Sequence, residues 1–547
     1  MSATSLITGY QIPDGSLDEL LERDGSARAH VAPIVAALGR LGPEALQEAG
    51  RRRDAIFMQQ GITFEVSGTD GARRDRPFPL DLIPRVLTAG EWSVIKRGLA
   101  QRIRALNAFV DDVYHGREIV RAGLVPWSLI VSRPSFARAV HGVRAPGGVY
   151  THVAGCDLVR GGDGRWRVLE DNVRTPSGIS YVLENRLAMT RLVPELFAGQ
   201  RVRPVDQYPM MLLEALRAVA PGVDSTPTVV LWTPGPLNGA YFEHAFLARE
   251  MGVELVEASD LVVRDATCYM RTTAGLQRVH TIYRRLDDDF IDPLEFRPDS
   301  VLGVPGLGRA YRAGTVAIAN AIGTGVADDK AIYHYVPEMI RFYLDEEPIL
   351  ENVQTYLLSD DKVRAMVLGR LAELVVKPTS ESGGKGVFIG PHASAVELER
   401  EARLIESQPE RFIAQELVHL STVPTDPGDG RLAPRHVDLR PFAVFGEEIR
   451  IIPGGLTRVA LQEGSMIVNS SQGGGSKDTW VLEDGESGAE HSLRELPTRE
   501  PPRLPDIRYG GWHGQAQQQQ QQQATVFDPA HGRQRPARAQ TDGRERR

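Results

Sequence analysis

The sequence has few of the features that mark secreted, membrane-spanning or nucleic-acid-binding proteins. Two cysteines, Cys156 and Cys268, are too few for a disulfide framework or a cysteine-based zinc site. The most apolar stretch, TVAIANAIGTGVA, is shorter than the ~18–20 residues that span a bilayer. The N-terminus MSATSLITGYQIPDG does not begin with a basic region followed by an apolar one, as a secretory signal would. Because a net charge of −8 provides no basic surface for nucleic acid, we expect a cytoplasmic protein without nucleic-acid or membrane partners.

A phosphate-binding P-loop is missing as well. The stretch ELVVKPTSESGGKGVFIG, residues 373–390, contains an apolar strand ending at Lys377, a Ser/Gly-rich loop and a second strand. Lys385 is followed by Gly386 rather than by Ser or Thr, and a strand rather than a helix comes next, which excludes a P-loop. A Gly-rich hairpin can still fold over phosphates, with backbone N–H groups from residues 382–384 and Lys377 as a point charge below them. An ordinary flexible hairpin is the alternative.

The pattern along the chain divides it into five parts. A length of 547 residues predicts two to four domains at ~100–200 residues each. The parts are a mostly helical region at 1–148 with a helix pair from Leu80, strands at 149–222, a strand–helix–strand alternation at 223–328, helices followed by short strands at 329–484, and a Pro-, Arg- and Gln-rich tail at 485–547. The alternation at 223–328 predicts a parallel sheet, and the composition of the tail predicts disorder.

The stretch CDLVRGGDGRWRVLEDN, residues 156–172, predicts a hairpin that turns at Asp163–Gly164. With that turn, Asp157 lies directly opposite Glu170, and Asn172 shares the same face of the hairpin. Two carboxylates this close repel each other unless a cation bridges them, and oxygen ligands of this kind suit Mg²⁺. A polar face that points to water is the alternative, and a slip of one residue at the turn would break the pairing.

Two later stretches carry further polar residues on strands. RFIAQELVHL predicts a strand with Gln415 and Glu416 that could present backbone groups to an adenine edge. HVDLRPFAVFGEEIRIIPGGLTRVAL predicts three short strands with Arg440 and Arg458 on them. Arginines that emerge from strands beside a phosphate-binding loop suit the charge of a transferred phosphoryl group. Surface arginines on edge strands are the alternative.

Together these motifs resemble the ATP-grasp superfamily of carboxylate–amine ligases. Lys330 in ADDK, Lys377 in VVKPTSESGGKGV and the QELV stretch resemble the two nucleotide lysines and the adenine hinge of that family. DLRPFAV followed by Arg458 resembles its Asp-x-Arg strand and phosphate arginine, and CDLV…VLEDNVRTPSG resembles its metal-binding closing element. In the usual order the closing element comes last, whereas here it comes first. The chain from about 80 to 480 therefore resembles the circularly permuted ATP-grasp group (type 2), related to glutathionylspermidine synthetase.

The resemblance implies an α/β (α+β) fold with permuted parts. Residues 149–222 would be the closing part of the ATP-grasp domain, 223–328 a Rossmann-like pre-ATP-grasp domain and 329–484 the nucleotide-binding subdomains. The implied reaction is an ATP-dependent ligation: ATP phosphorylates a carboxylate, and an amine displaces phosphate from the acyl phosphate to form an amide. A phosphotransferase on the same fold and a non-catalytic nucleotide-binding partner protein are the alternatives. Implied partners are small-molecule or peptide carboxylates and amines, a helical partner protein and a transglutaminase-like protease.

The resemblance also implies the roles of individual residues. The nucleotide would be bound by Lys330, Lys377, Ser382, Gly383, Gly384, Lys385, Gln415, Glu416, Leu417 and Val418. Mg²⁺ would be bound by Asp157, Glu170 and Asn172, and the transferred phosphoryl by Arg440 and Arg458, with Arg174 at the phosphoryl or at a substrate carboxylate. Separately, TPGPLNGAYFEH follows a strand at the crevice where open α/β sheets bind ligands. Asn238, Tyr241 and Glu243 are therefore substrate candidates, and a helix N-cap is an equal alternative for Asn238.

Overall fold

The computed structural model describes residues 7, 9–67, 73–222, 226–380, 386–428, 431–466, 468 and 474–483. The predicted α/β (α+β) class is confirmed, because helices flank several sheets of mixed orientation. The tail at 485–547, for which disorder is predicted, lies outside the described residues. Within the described ranges, every helix is too short or too polar to cross a bilayer.

The described residues form twelve α-helices and 23 strands. The helices are α1 (Ala32–Gln60), α2 (Ala89–Tyr114), α3 (Glu118–Arg121), α4 (Trp127–Val131), α5 (Ile179–Leu192), α6 (Tyr208–Ala218), α7 (Tyr241–Met251), α8 (Leu307–Arg312), α9 (Lys330–Tyr333), α10 (Val336–Leu344), α11 (Asp361–Gly369) and α12 (Ala395–Ser407). The strands are β1 (Thr63–Ser67), β2 (Arg73–Pro77), β3 (Leu80–Leu87), β4 (Val153–Arg160), β5 (Trp166–Asn172), β6 (Val229–Trp232), β7 (Glu254–Val256), β8 (Leu261–Arg264), β9 (Thr267–Thr272), β10 (Gly275–Arg278), β11 (Thr281–Arg284), β12 (Ala317–Ala319), β13 (Glu351–Asn352), β14 (Thr355–Leu357), β15 (Leu374–Pro378), β16 (Phe388–Ile389), β17 (Phe412–Glu416), β18 (Thr422–Thr425), β19 (Ala433–Arg440), β20 (Phe442–Phe445), β21 (Ile449–Ile451), β22 (Leu456–Val459) and β23 (Gly475–Val481).

A ten-stranded sheet joins distant parts of the sequence. Its main path runs β13-β5-β4-β19-β22-β23-β3, with β18 on β19 and with β20 between β4 and β21. The hairpin β4–β5 thus lies directly beside strands from the C-terminal part of the described chain. Leu158 of β4 pairs with Leu439 of β19, and Gly155 pairs with Phe442 of β20. This adjacency is what a circular permutation of the closing element requires.

The prediction of a helix pair from Leu80 is wrong for its first eight residues, which form a strand. Residues Leu80–Leu87 form β3, which pairs in parallel with β23 and is buried along its whole length. Strands buried on both faces are apolar at nearly every position, so their pattern resembles that of a buried helix. The predicted helix begins after β3 as α2, where Thr88 and Glu91 form a capping box at its N-terminus.

The parallel sheet predicted within residues 223–328 is confirmed. Strands β7, β6, β11 and β12 lie side by side in this order, and every neighbouring pair is parallel. Helix α7 connects β6 to β7 and ends at Gly252, whose left-handed backbone conformation (φ 67°) closes the helix. The carboxyl ends of β6 and β11 therefore lie at the same edge of this sheet, next to α5 and the loop that precedes it.

A small sheet, β14-β17-β15-β16, carries the predicted nucleotide residues. Its register pairs Lys377 with Ile413 and Val375 with Gln415, so Lys377 and Gln415 are on one face. The opposite face, which includes Val376, packs against α11 and α12. Helix α12 departs from the prediction, in which short strands follow the helices of residues 329–484.

Candidate active site

The hairpin β4–β5 places Asp157 opposite Glu170, and this predicted pairing is confirmed. The turn itself differs from the prediction. The Gly161 N–H donates to the carbonyl of Arg165 at 3.0 Å, so three residues rather than two form the loop. This shifts the register by one residue, and a bulge at Leu169 shifts it back before Glu170 is reached.

Asp157 is completely buried and binds two arginines. Arg440 donates from Nε to Oδ1 at 2.5 Å and from Nη2 to Oδ2 at 2.8 Å, and Arg458 donates to Oδ2 as well. Burial alone would raise the pKa of the Asp157 carboxyl, but the two guanidiniums outweigh it and hold this pKa well below its usual value. Asp157 is therefore the shared counter-charge of Arg440 and Arg458.

Asp438 fixes the other side of Arg458. These two residues are directly opposed on β19 and β22, and Arg458 Nε donates to the two carboxylate oxygens of Asp438 at 2.9 and 3.0 Å. Burial raises the pKa of Asp438 in spite of the neighbouring Arg458. The guanidinium of Arg458 is thus held between two acids and has little freedom to rotate.

Glu170 lies at the open side of this cluster. Its side chain is 26% exposed, and its carboxylate oxygens are 3.7 Å from Lys330 Nζ and 3.7 Å from Arg440 Nη2. Asn172 Nδ2 is 3.4 Å from Glu170 Oε1 and 3.5 Å from Asp157 Oδ1. The three predicted metal ligands are therefore adjacent, and Glu170 is more accessible than the buried Asp157.

Lys377 links the small sheet to this hairpin. Burial lowers the pKa of its ammonium group to about 8, and the positive charges of Lys330 and Arg458 act in the same direction. The negative charges of Glu170 and Asp157 oppose this effect. The two acids of the N-terminal hairpin and the lysine of the C-terminal small sheet thus belong to one charged site.

The donor set fits a hard cation, with one distinction between the three predicted ligands. Glu170 and Asn172 present oxygen-bearing groups on one face, and a half-turn of the Asn172 amide would present its oxygen where Nδ2 lies. Both oxygens of Asp157 are already bound by arginines, so Asp157 fits a direct ligand role less well. Groups of three His, Cys, Asp or Glu side chains suited to a metal are absent from the described part of the chain, so further ligands would have to come from phosphate oxygens or water.

Arg174 lies between two acids beside this cluster. Its Nη1 is 3.5 Å from Asp287 Oδ1 and its Nε is 3.6 Å from Asp328 Oδ2. The charges of Asp287 and then of Asp328 raise the pKa of the guanidinium. Asp328 also accepts from the backbone N–H groups of Val173 and Arg174, which holds this segment in place.

Gln415 and Glu416, predicted nucleotide residues on strand β17, point to opposite faces of the small sheet. Gln415 is buried and donates from Nε2 to Thr355 Oγ1 at 3.0 Å, while its Oε1 has no hydrogen-bond partner among the described residues. Glu416 points to the other face, where Arg370 binds its carboxylate, and its N–H donates to the carbonyl of Gln354. The side chain of Glu416 is therefore occupied within the small sheet.

The remaining predicted nucleotide residues include two that follow a strand, four outside the described chain and one at the start of a helix. Leu417 and Val418 follow directly after the end of β17. Ser382, Gly383, Gly384 and Lys385 lie outside the described residues, so their role stays a prediction. Lys330 is the first residue of α9, whose N-terminus is capped by the side chain of Asp329.

The substrate candidates of the parallel sheet have local partners. Asn238 Oδ1 accepts from the N–H of Ala240 at 2.9 Å in the turn before α7, but Ala240 is the N-cap residue of this helix and no side chain caps it, so the capping alternative is wrong. The N–H of Tyr241 donates to the carbonyl of Asn238. Glu243 is 1% exposed, and its Oε2 accepts from the N–H of Gly178 at 2.7 Å. The geometry thus favours structural roles for Asn238 and Glu243 over contact with a substrate.

Arg285 is a component of the site that the sequence did not reveal. Its Nη2 donates to Ser177 Oγ and, at 3.0 Å, to Glu243 Oε1. Arg440 Nη1 in turn donates to the carbonyl of Ser177 at 3.3 Å. The loop at 176–178 therefore connects the parallel sheet to Arg440. The only signal in the sequence is an arginine pair, YRR, directly after an apolar strand.

Comparisons with known proteins agree with this architecture. The sequence model of the family described as "Circularly permuted ATP-grasp type 2" matches residues 84–460. An uncharacterized protein of Synechocystis sp. is 53% identical over 472 residues, which are 86% of this chain and 98% of the relative. An uncharacterized protein of Mycobacterium tuberculosis is 51% identical over 525 residues, covering 94% of this chain and 93% of the relative.

Two further matches are to a longer protein and to a solved structure of low sequence identity. A Frankia alni protein named "Putative glutamate--cysteine ligase 2-3" is 45% identical over 482 residues, which are 88% of this chain but 55% of that protein. The solved structure of a glutathione synthetase-like effector from Globodera pallida matches with a TM-score of 0.51 and 12% identity, covering 80% of this chain and 98% of the effector. At this identity, the structural match supports the fold alone.

Proposed function

Because the chain belongs to the circularly permuted ATP-grasp type 2 family, we propose that it is an ATP-dependent ligase that joins a carboxylate to an amine. In this reaction a carboxylate oxygen attacks the γ-phosphorus of ATP and ADP leaves, which gives an acyl phosphate. The amine nitrogen then attacks the acyl carbon, phosphate leaves with the bridging oxygen that came from the carboxylate, and the nitrogen loses a proton to give the amide.

One observation carries this proposal. Asp157 and Glu170, opposed on the hairpin, share a charged site with Lys330 and Lys377 from the nucleotide side and with Arg440. A site that gathers cations from separate elements around two acids suits the transfer of a highly charged phosphoryl group. Such transfer needs little covalent chemistry from the protein and depends on positioning and charge neutralisation.

The residues divide this work between them. Lys330 and Lys377 would bind the phosphates of the nucleotide, and Arg440 and Arg458 would neutralise the phosphoryl in transfer. Glu170 and Asn172 would hold Mg²⁺, with Asp157 as a ligand or as the group that orients the two arginines. Bound Mg²⁺ would supply charge neutralisation on phosphate oxygens. Arg174, balanced between Asp287 and Asp328, would meet the substrate carboxylate or the phosphoryl.

The identity of the two substrates is a separate part of the proposal. The name of the Frankia relative suggests glutamate and cysteine, but the match covers 55% of that protein, so the name does not assign the activity to the matched part. Small amino acids, polyamines and peptides are the other classes to include. A helical partner protein and a transglutaminase-like protease stay proposed partners, which makes peptides a class of particular interest.

The experiment is a screen for ADP and phosphate release with Mg²⁺ over pairs of carboxylates and amines. A ligase releases both products only when a carboxylate and an amine are present together. A phosphotransferase would instead release ADP with a phosphorylated acceptor and without free phosphate. Absence of ADP with every pair, in protein that binds ATP, would favour a non-catalytic nucleotide-binding role. Formation of the amide is then checked by mass spectrometry.

A further inference from the structure

Arg133 joins the N-terminal helical region to the two elements that carry the nucleotide lysines. It follows α4, and its side chain is 10% exposed. Nη1 donates to Thr379 Oγ1 at 3.1 Å and to the carbonyl of Glu410 at 3.2 Å, and Nε lies 3.6 Å from Asp329 Oδ2. A single guanidinium thus contacts the end of β15, the start of α9 and the turn before β17.

Two of these contacts are made to residues that are close in sequence to a lysine of the proposed site, namely Thr379 near Lys377 and Asp329 before Lys330. Thr379 comes two residues after Lys377 and directly precedes the Ser/Gly-rich stretch. Its carbonyl accepts from the N–H of Lys330 at 3.3 Å, and its own N–H donates to the carbonyl of Arg411 at 2.9 Å. Asp329 caps α9 by accepting from the N–H of Ala331 at 2.8 Å, so it orients the first turn of the helix that begins with Lys330.

The two lysines need such a connection because they repel each other. The positive charge of Lys330 lowers the pKa of Lys377. Before a nucleotide arrives, these like charges on two separate elements repel each other and favour a wider separation of the two ammonium groups. We infer that Arg133 is a positioning residue, which holds α9 and the end of β15 at the spacing where Lys330 and Lys377 bind one nucleotide. This inference rests on the proposed ATP-binding function.

An arginine suits this position better than a lysine. The planar guanidinium presents several donors in a fixed fork, so it can contact Thr379, Glu410 and Asp329 together. A lysine at position 133 would keep the charge but would serve fewer of these partners. The effect of Arg133 on nucleotide affinity should therefore be recovered only in part by the Arg133→Lys variant.

The test measures affinity for the non-hydrolysable ATP analogue with a β,γ-imido group, in the presence of Mg²⁺, by calorimetry on the full chain. We expect Arg133→Ala to weaken binding about tenfold or more and Arg133→Lys to fall between it and the wild type. Arg138→Ala is the matched control, since Arg138 is exposed in the same segment, and its affinity should be unchanged. If Arg133 serves only folding, the melting temperature falls while the affinity of the folded protein stays at the wild-type value, which overturns the inference.

A double-mutant cycle with Thr379→Val tests whether Arg133 acts through this hydroxyl. The combined variant should lose less affinity than the product of the two single losses, and independent losses would contradict the inference. If Arg133→Ala fails to fold, Arg133→Lys and Thr379→Val remove fewer contacts and carry the same test. If the wild type and Arg138→Ala bind no nucleotide, both the proposed function and this inference are overturned. If they bind and Arg133→Ala binds equally well, only this inference fails.

Discussion

Asp157 and Arg440 form a two-point hydrogen-bonded pair inside the protein, with Nε–Oδ1 at 2.5 Å and Nη2–Oδ2 at 2.8 Å. Arg458 binds the same carboxylate, and Asp157 is completely buried. One carboxylate therefore balances two arginines on neighbouring strands of the large sheet. The pair comes from β4 and β19, which the sequence separates widely and the sheet brings together.

Replacing Asp157 by Asn should destabilise the fold strongly. The substitution leaves the guanidiniums of Arg440 and Arg458 without their shared counter-charge, and breaking a buried pair in this way costs about 3–5 kcal/mol. The free energy of unfolding, measured with urea, should fall by about this amount. Asp163→Asn on the same hairpin is the control, because its ion pairs with Arg165 and Arg167 are exposed and should matter by less than about 1 kcal/mol.

The contribution of Asp157 should also disappear in acid. Its pKa is lower in the folded protein than in the unfolded chain, so the stabilisation is complete above about pH 4 and is lost as the pH falls through the folded-state value. The difference in unfolding free energy between wild type and Asp157→Asn should shrink accordingly. Equal stabilities at pH 7 would contradict the role of Asp157 as a counter-charge.

Replacing Glu170 by Ala, unlike replacing Asp157, should change stability little and turnover strongly. Glu170 is partly exposed, and its nearest cations are 3.7 Å away, so the melting temperature should change little. Magnesium-dependent ADP formation should fall by about a hundredfold or more, since the loss of a metal contact removes several kcal/mol of charge stabilisation. Glu351→Ala on the neighbouring β13 is the control and should retain turnover. Wild-type turnover in Glu170→Ala would remove Glu170 from the metal site.

The affinity for ATP should decline as the pH rises through about 8. Lys377 is cationic below its pKa of about 8 and neutral above it, and only the cation attracts phosphate. A bound nucleotide raises this pKa, so binding near pH 8 should take up protons. Calorimetry in buffers of different ionisation enthalpy measures this uptake. Lys377→Arg keeps its charge at every pH and should lose the uptake, whereas an unchanged uptake would assign it to another group.

The pairing of Asp157 with Glu170 is predicted by counting outward from the turn, and the alternation of strand side chains places Asn172 on the same face. The predicted loop is one residue shorter than the loop in the structure, and the bulge at Leu169 compensates for this difference. Neither deviation has a clear local signal, since GGDG is compatible with loops of two or three residues. The predicted pair is therefore correct because the longer loop and the bulge cancel, since either deviation alone would place Glu170 on the other face.

Elements that depend on distant partners could not be predicted. Leu80–Leu87 has apolar residues at spacings that fit either a helix or a buried strand, and only the partner β23 decides between them. The same holds for Arg285, whose importance comes from its contacts with Ser177 and Glu243 on other elements. Glu243 was predicted as a substrate residue from its place after a strand, but the burial that changes this interpretation is a tertiary property.

Replacing Gly162 by Ala should loosen the tip of the hairpin β4–β5. A Cβ at this position would lie 1.8 Å from the carbonyl oxygen of Gly15, while the N–H of Gly162 donates to the carbonyl of His419. The chain must therefore shift on one side of the turn, which should lower the unfolding free energy by about 1–3 kcal/mol. Gly90→Ala, where a Cβ meets nothing within 4 Å, is the control. Equal melting temperatures for Gly162→Ala and wild type would show that Gly15 moves at no cost.

Replacing Glu243 by Gln distinguishes a substrate contact from a structural one. The carboxylate accepts from the N–H groups of Gly178 and Ser180 at 2.7 and 3.2 Å and from Arg285 at 3.0 Å, all within the interior. The amide NH2 group of Gln would face one of these donors in place of an acceptor oxygen and would leave it without a partner. The unfolding free energy should therefore fall by about 2–4 kcal/mol. Glu250→Gln, exposed on the same helix α7, should change it by less than about 0.5 kcal/mol.

The kinetic constants of Glu243→Gln complete this distinction. The carboxylate fixes the loop whose Ser177 carbonyl accepts from Arg440, so a looser loop should lower kcat severalfold while KM for the carboxylate and the amine stays near the wild-type value. A substrate contact would give the reverse pattern, with KM raised and stability unchanged. Because a substrate contact and a structural contact predict opposite changes in two independent measurements, this one variant decides whether Glu243 of α7 binds substrate or helps to place Arg440.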